Sequence, residues 1–328
     1  MSRYTAAAYI GAAACTFLFA ADSARTDPFT HIVAPGESVS LICIDYYGRY
    51  APAMGDEIRK LNPRLKRLEL IYPGQQLRLP APDTASAETS SKPAVFSQSI
   101  TVTQAVVTYV DGDAALQKDG ETSAIPLAAN TIVSPGDVLR TGKNGRVELI
   151  INRESVVRMR ENSRLRIDSL RDAAAGSTTT TIRCPGGGIW TKVRRFADKI
   201  TRFQLIAPNA IAGVHGTVYQ TDVSPDSSMV VKVYDGEVSV KSSPSAASGN
   251  SQTAGAIAEV PGPSETSGPH EVSMEQWTRI VRSMQRIHIG PDGKVGEPEQ
   301  FEREPEDSWE QWNEQRDRRI AALFGEAR

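Results

Sequence analysis

His31-Ile32-Val33-Ala34-Pro35-Gly36-Glu37-Ser38-Val39 opens the stretch that decides how the N-terminal part of this chain folds. Ile71-Tyr72-Pro73-Gly74-Gln75-Gln76-Leu77-Arg78-Leu79-Pro80 closes it. The opening reads as a short β-type run, a Pro-Gly turn and a polar pair at which a helix can start. Ser38 or Glu37 is placed there to accept from the first free backbone N–H groups. Leu41, Ile42 and Tyr46 recur at helical spacing, and Gly48 stands where the helix stops. A second helical pattern holds Ile58 and Leu61. It ends at Asn62-Pro63, because proline disfavours helix at the residue before it. Residues 49–56 read as the connection between the two. Leu77 and Leu79 alternate with polar residues, as in a half-buried strand. The predicted order over 31–80 is β-α-α-β.

Val33-x-Pro-Gly-Glu-Ser-Val, Tyr47-Gly48, Leu61-Asn62-Pro63 and Ile71-Tyr72-Pro73-Gly74-Gln75-x-Leu77-x-Leu79-Pro80 are ordered motifs. With them, residues 30–80 resemble a LysM domain. The resemblance implies binding of N-acetylglucosamine-containing glycan, chiefly peptidoglycan or chitin, in a shallow groove between the strand–helix loop and the helix–strand loop. Carried over, the groove residues are Gly36, Glu37, Ser38, Val39, Asn62, Pro63, Leu70, Ile71 and Tyr72. Acetamido groups need backbone N–H and C=O partners, which loops rich in glycine and proline present, and Ile71 or Tyr72 offers an apolar cover for a sugar face. The alternative for each single residue is that it shapes a turn. Cys43, where an aliphatic residue or alanine is more usual, reads as a small buried hydrophobe.

The chain has 328 residues, enough for two or three domains. A formal net charge of -2 gives no general basic field for nucleic acid, and 6% aromatic residues is low for a base-stacking platform. Arg3 precedes an almost wholly apolar run over 6–21, followed by the small residues Ala20, Ala21, Ser23 and Ala24. Residues 1–24 therefore read as a secretory signal peptide, which directs the chain to the periplasm or cell envelope. An uncleaved anchor is the alternative, and it would be the chain's one membrane contact. Ala12-Ala13-Ala14-Cys15 loosely resembles a lipobox that lacks its leucine. Of three cysteines, Cys43 and Cys184 fall in different domains and read as unpaired thiols. So few cysteines in an exported chain suit a bacterial periplasm.

Residues 81–99 are rich in Ala, Ser, Thr and Pro and read as a flexible linker that lets the first module move. Over 100–242 the pattern is β. Val102, Val106 and Val110 run up to Asp111-Gly112. Asp119-Gly120 and Ser134-Pro135-Gly136-Asp137 are turn signals. Val147, Leu149 and Ile151 share one face of a strand, and Leu165 and Ile167 point inward between outward arginines. Met229 to Tyr234, Asp235-Gly236 and Glu237 to Val240 read as a tight hairpin. Gly186-Gly187-Gly188 lacks the ending of a phosphate loop and reads as a bend that lets Trp190 pack. Lys192, Arg194, Arg195, Lys199 and Arg202 form a basic cluster, either a solvated face or a contact for an anionic partner. Residues 243–269 read as a second linker and 270–328 as a helical tail. Trp277, Ile280, Val281, Met284 and Ile287 recur at helical spacing. A last charged helix from Trp309 through Leu323 is expected to pack on the β domain.

Pro135-Gly136-Asp137-x-Leu139-x-Thr141-Gly142, Glu148-Leu149, Ser163-Arg164-Leu165, Ala207-Pro208-Asn209-Ala210-x-Ala212-Gly213-Val214-His215-Gly216-Thr217-Val218-Tyr219 and Val233-Tyr234-Asp235-Gly236-Glu237-Val238 resemble the FecR-type domain, named after a periplasmic regulator of ferric citrate uptake. His215 stands where that family usually has arginine. It reads as a local turn residue or, less simply, as a ligand or pH-responsive group. The scattered histidines make no zinc signature, and no cofactor is expected.

The fold class expected is α+β multidomain: a small βααβ LysM module, a mainly antiparallel all-β FecR-like domain and a helical C-terminal tail. The function expected is that of a non-catalytic envelope protein. It binds peptidoglycan or another N-acetylglucosamine polymer, and its FecR-like domain serves as scaffold, sensor or contact for an envelope protein partner. One alternative is a murein hydrolase or its accessory, for which no strong catalytic constellation is found. The other is a periplasmic signalling regulator of the FecR type, for which no cytoplasmic segment is read before the apolar run.

Overall fold

The computed structural model describes residues 27–81, 104–173, 177–195, 201–214, 216–243, 278–304 and 306–321. The expected signal peptide, nearly all of both linkers, Lys199 and His215 lie outside these residues.

β1 (Phe29–Ile32), α1 (Val39–Tyr47), α2 (Pro52–Leu61) and β2 (Gln76–Leu79) make an N-terminal module in the order β-α-α-β. β1 and β2 pair antiparallel, Phe29 opposite Leu79 and Ile32 opposite Gln76. The Ser38 hydroxyl accepts from Leu41 N to cap α1, and Gly48 ends the helix with a φ of 77°. α2 starts at Pro52, inside the stretch expected to be a connection. The fixed φ of proline suits a first helical turn, where no N–H is needed. Val39, Ile42, Cys43, Ile58, Leu77 and Leu79 fill the module's core.

The remaining elements are β3 (Ala105–Asp111), β4 (Ala114–Gln117), β5 (Ala124–Pro126), β6 (Ile132–Val133), β7 (Val138–Thr141), β8 (Arg146–Ile151), β9 (Ser155–Met159), β10 (Arg164–Ala173), β11 (Ser177–Val193), β12 (Thr201–Ile206), β13 (Ala210–Val214), β14 (Val218–Val223), β15 (Met229–Asp235), β16 (Glu237–Ser242), β17 (Thr278–Arg282), β18 (Gln285–Ile289), β19 (Glu299–Gln300) and α3 (Ser308–Ile320). The strands form one curled 17-stranded sheet. Its first layer runs β6-β3-β8-β9-β11-β14-β15-β18-β19. Its second runs β5-β4-β7-β10-β11-β12-β13-β16-β17. Among these pairings only β11 with β12 is parallel. Val107, Leu149 and Val157 from the first layer meet Leu139, Leu165 and Leu205 from the second in one core.

β11 belongs to both layers. Residues 178–183 pair with β12, and residues 187–192 pair with β14. The strand changes layer at its glycine run. Gly187 has a φ of 95°, and a Cβ there would lie 2.4 Å from Ser163 Cα. Only glycine combines that conformation with so close an approach. The bend delivers Trp190 to a buried aromatic group, as the sequence suggests.

Two sequence expectations are corrected. Residues 229–240 are not a hairpin: β15 pairs with β14 and β18, whereas β16 pairs with β13 and β17 in the other layer. Asp235-Gly236 is a corner between layers. A Cβ on Gly236 would sit 2.7 Å from the Gly216 carbonyl oxygen, so the corner is packed against a neighbouring one. The described part of 273–287 is not a helix either. It forms β17 and β18 around a second corner at Met284, whose φ is 61°. Val281, Ile287 and Ile289 enter the core between exposed neighbours. The open edges of β16 and β15 offered these residues ladder partners that an isolated helical pattern does not reveal.

The module is not free of the β domain. Val106 of β3, Ile150 of β8 and Val156 of β9 point away from the sheet's own core and join the module's, together with Ile320 of α3. The freedom of movement expected from 81–99 is thus opposed by a packed apolar contact. α3 runs across the outer face of the first layer. Near its start Trp309 packs with Trp190, Tyr234 and Phe301, and at its end Ile320 enters the module's core. A 13-residue helix spans about 20 Å, close to the width of four to five strands about 4.8 Å apart.

Candidate glycan-binding site

Loop 33–38 and loop 62–75 are the two edges of the groove that the resemblance implies. They are joined directly: Val33 N donates to Gln75 O at 2.9 Å and Gly74 N to Val33 O at 2.7 Å. Gly36 turns the first loop with a φ of 76°. Glu37 folds back on that turn. Its carboxylate accepts from Ala34 N at 2.7 Å and from His31 Nε2 at 2.8 Å, and pairs with Arg319 of α3. Ser38 caps α1, and Val39 is fully buried. Asn62 ties α2 to β2, accepting from Arg78 N at 2.9 Å and donating to Ile58 O and Arg78 O. Pro63 is exposed in the turn that follows, and Ile71 is half-buried against the module's core.

Leu70 and Tyr72 are exposed at 48% and 64%, and Ile32 on the adjoining strand at 62%. These apolar side chains are available to a sugar face. Of the predicted set, then, Gly36, Glu37, Ser38 and Asn62 have structural hydrogen-bond partners and Val39 is buried, whereas Leu70 and Tyr72 face outward.

The structure adds groups that the sequence reading missed. Asn130, in the left-handed conformation with a φ of 72°, reaches from the loop between β5 and β6 to the module. Its Oδ1 accepts from Ser40 N at 2.7 Å, and its Nδ2 donates to Leu68 O at 3.2 Å. Ser40 Oγ donates to Val107 O at 3.2 Å beside it. The backbone of Asn130 is held in turn, its N–H donating to Val107 O at 2.8 Å.

The second missed group is a buried ionic cluster under α3. Glu148 is fully buried on β8 and accepts from Arg158 Nε at 2.8 Å, Arg316 Nε at 3.1 Å and Thr108 Oγ1 at 2.8 Å. Arg158 also meets Asp317 at 2.7 Å and Asn313 Oδ1 at 3.2 Å. Arg316 donates a further bond to Gly36 O at 2.6 Å, so one guanidinium joins sheet, tail and groove loop. Burial pushes the Glu148 carboxyl up, but the charges and hydrogen bonds of Arg316 and Arg158 outweigh it and bring it down to about 2. Near the start of α3, burial and then the Glu310 carboxylate push the Tyr234 phenol well up, and it stays a neutral donor to Glu310. A sequence signal existed for this cover. Ile150 and Val156 are apolar on the faces of β8 and β9 where polar residues would alternate in a sheet with one wet side.

The FecR-like motif residues hold corners. Asp137 is buried and accepts from Ser134 N at 2.9 Å, Asp119 N at 3.0 Å and Lys118 Nζ at 2.7 Å. Thr141 Oγ1 donates to Arg160 O at 2.6 Å, Asn209 Nδ2 to Ser227 O and Gly290 O at 2.6 Å, and Thr217 Oγ1 to Glu237 O at 2.9 Å. The basic cluster does not form one face: Lys192 is buried on β11 in the first layer, and Arg202 is exposed on β12 in the second. Among the described residues, no group of three or more His, Cys, Asp or Glu side chains is arranged to hold a metal ion.

The family model described as FecR protein matches residues 137–239, which run from the turn before β7 into β16. This part of the chain is a FecR-family domain. No curated protein matches the chain by sequence. Two crystal structures of a protein assigned as an anti-sigma factor from Parabacteroides distasonis overlay on it with TM-scores of 0.36 and 0.34, each at 12% identity. They cover 53% and 50% of this chain and 64% and 60% of that protein, so this chain spans less than two thirds of its length. Overlap at those scores does not establish a common fold.

Proposed function

We propose that this chain is a non-catalytic regulator of the bacterial cell envelope, exported to the periplasm. Its FecR-type domain works by contact with a protein partner. Its LysM-like module responds to N-acetylglucosamine-containing glycan, peptidoglycan first. The FecR-family match at 137–239 carries the regulatory part of this reading. It is supported by the use of the motif side chains Asp137, Thr141, Asn209 and Thr217 in clamping corners. The glycan part rests on the βααβ order, the two joined loops and the outward Leu70 and Tyr72. Each contact of such a groove is weak, so a dense polymer such as a sacculus holds the chain better than a free sugar does.

Sacculus sedimentation tests the pair of claims together. The full chain is expected to pellet with purified sacculi, and Tyr72→Ala to pellet several-fold less, with no soluble muropeptide released in either tube. Release of muropeptides overturns the non-catalytic reading, and a chain that stays in the supernatant overturns the peptidoglycan reading. For the partner, a photo-crosslinker at Ile280, 45% exposed on the edge strand β17, is expected to give a discrete heteromeric product in cells. Crosslinks only between copies of this chain would contradict it.

A further inference from the structure

We infer that Asn130 is a built-in competitor for the module's ligand, its carboxamide standing where the acetamido group of an N-acetylated sugar would bind. The inference rests on the glycan reading of the module and deepens it, by naming the amide-reading pair and what fills it.

The amide-reading pair is Ser40 N and Leu68 O. One lies on the first turn of α1, two residues after Ser38, and the other lies in loop 62–75, two residues before Leu70, so the pair stands next to both edges of the groove. Between them sits one carboxamide, accepting from the first at 2.7 Å and donating to the second at 3.2 Å. The assignment of its oxygen and nitrogen is forced, since an N–H needs an acceptor and a carbonyl needs a donor. A sugar's acetamido group carries the same two functions on one carbonyl carbon. The Nδ2 hydrogen that lies anti to the oxygen in asparagine corresponds to its single N–H.

Asn130 is also presented as a ligand is presented, on a rigid support. Its left-handed backbone conformation projects the side chain out of the loop, and its own N–H is fixed to Val107 O at 2.8 Å. Ser40 is fully buried under this contact, so sugar cannot reach Ser40 N while the β domain is docked. Glycan and β domain therefore exclude one another at this pair. Binding an acetamido group there requires the module to leave the face formed by Val106, Ile150 and Val156. An occupied groove and a released sheet face become the same event, which is a direct way for a glycan to alter what the FecR-type domain presents.

The test compares binding of the N-acetylglucosamine tetramer, by calorimetry, to the full chain and to Asn130→Gly. Glycine keeps the positive φ and removes the carboxamide. Asn162→Gly, the same change at a left-handed asparagine in a distant corner with a φ of 54°, serves as the control. The expected result is an affinity on the order of tenfold or more higher for Asn130→Gly than for the unaltered chain, because two competing hydrogen bonds are gone. Asn162→Gly should match the unaltered chain. Equal affinities for all three proteins overturn the competitor and leave the glycan reading standing. Binding by none of them overturns both. A gain shared by Asn162→Gly marks general loosening and also overturns the competitor.

Discussion

Glu148 is the residue on which three parts of the molecule converge. It is fully buried, and it is bound by Arg158 from the sheet and Arg316 from the tail. Removing one partner from such a group leaves the other charges buried and uncompensated. Glu148→Gln is therefore expected to destabilise the fold by about 3–5 kcal/mol, measured by urea unfolding; a loss under about 1 kcal/mol would contradict the assigned burial. The pH dependence follows from the same group. Its folded-state carboxyl lies near 2, below the ordinary value of about 4.3. The stability it supplies is complete above that ordinary range and is lost as pH falls through it towards 2. Acid titration followed by tryptophan fluorescence should show a transition in that window, absent in Glu148→Gln. The sequence displayed Glu148 only as part of a Glu-Leu motif. A carboxylate whose partners stand 10 and 168 positions away is invisible to local spacing.

At the scale of elements, α3 decides the arrangement. Its helical character was legible in the sequence, and so was its packing on the β domain, because Trp309, Trp312 and Asn313 fall on one face. Its reach to the groove loop was not, since that depends on where the sheet puts Gly36. Trp309 is buried and stacks on Trp312 with ring centroids 5.2 Å apart. Trp309→Ala is expected to cost about 3–5 kcal/mol. Protection of the module from limited proteolysis should fall in parallel, because the anchor at one end of the strap holds Arg316 and Arg319 in place at the other. Unchanged protease resistance would mean that the module holds its place without α3. The strands β17 and β18 carry the opposite lesson. Their helical spacing of apolar residues is real, but a corner at Met284 breaks it, and two waiting sheet edges outcompete the helix. The same holds for Asp235-Gly236, where turn chemistry is legible but not whether the turn closes a hairpin or crosses between layers.

At the scale of the whole molecule, module, sheet and tail share buried surface, so they should behave as one body. Cys43 lies in the module's core and Cys184 in the sheet's, and burial pushes both thiols up to about 12. Neither is expected to react with iodoacetamide at pH 8 in the folded chain, and both should react once urea unfolds it, as read by peptide mass spectrometry. Labelling of Cys43 alone under native conditions would show the module opening by itself. The sequence separated these parts cleanly by composition, and a polar stretch between two patterned ones suggested freedom. Composition does not show whether the faces on either side of a linker are complementary. Apolar residues at Val106, Ile150 and Val156 were the trace that these are.

The most direct test of docking is a distance distribution between spin labels on Arg59→Cys, exposed on α2, and Glu121→Cys, exposed between β4 and β5, with Cys15→Ser to remove a third site. Pulsed electron resonance on the free chain should give one narrow distance, broadening when the N-acetylglucosamine tetramer is added. A broad, linker-like distribution in the absence of glycan would contradict the account.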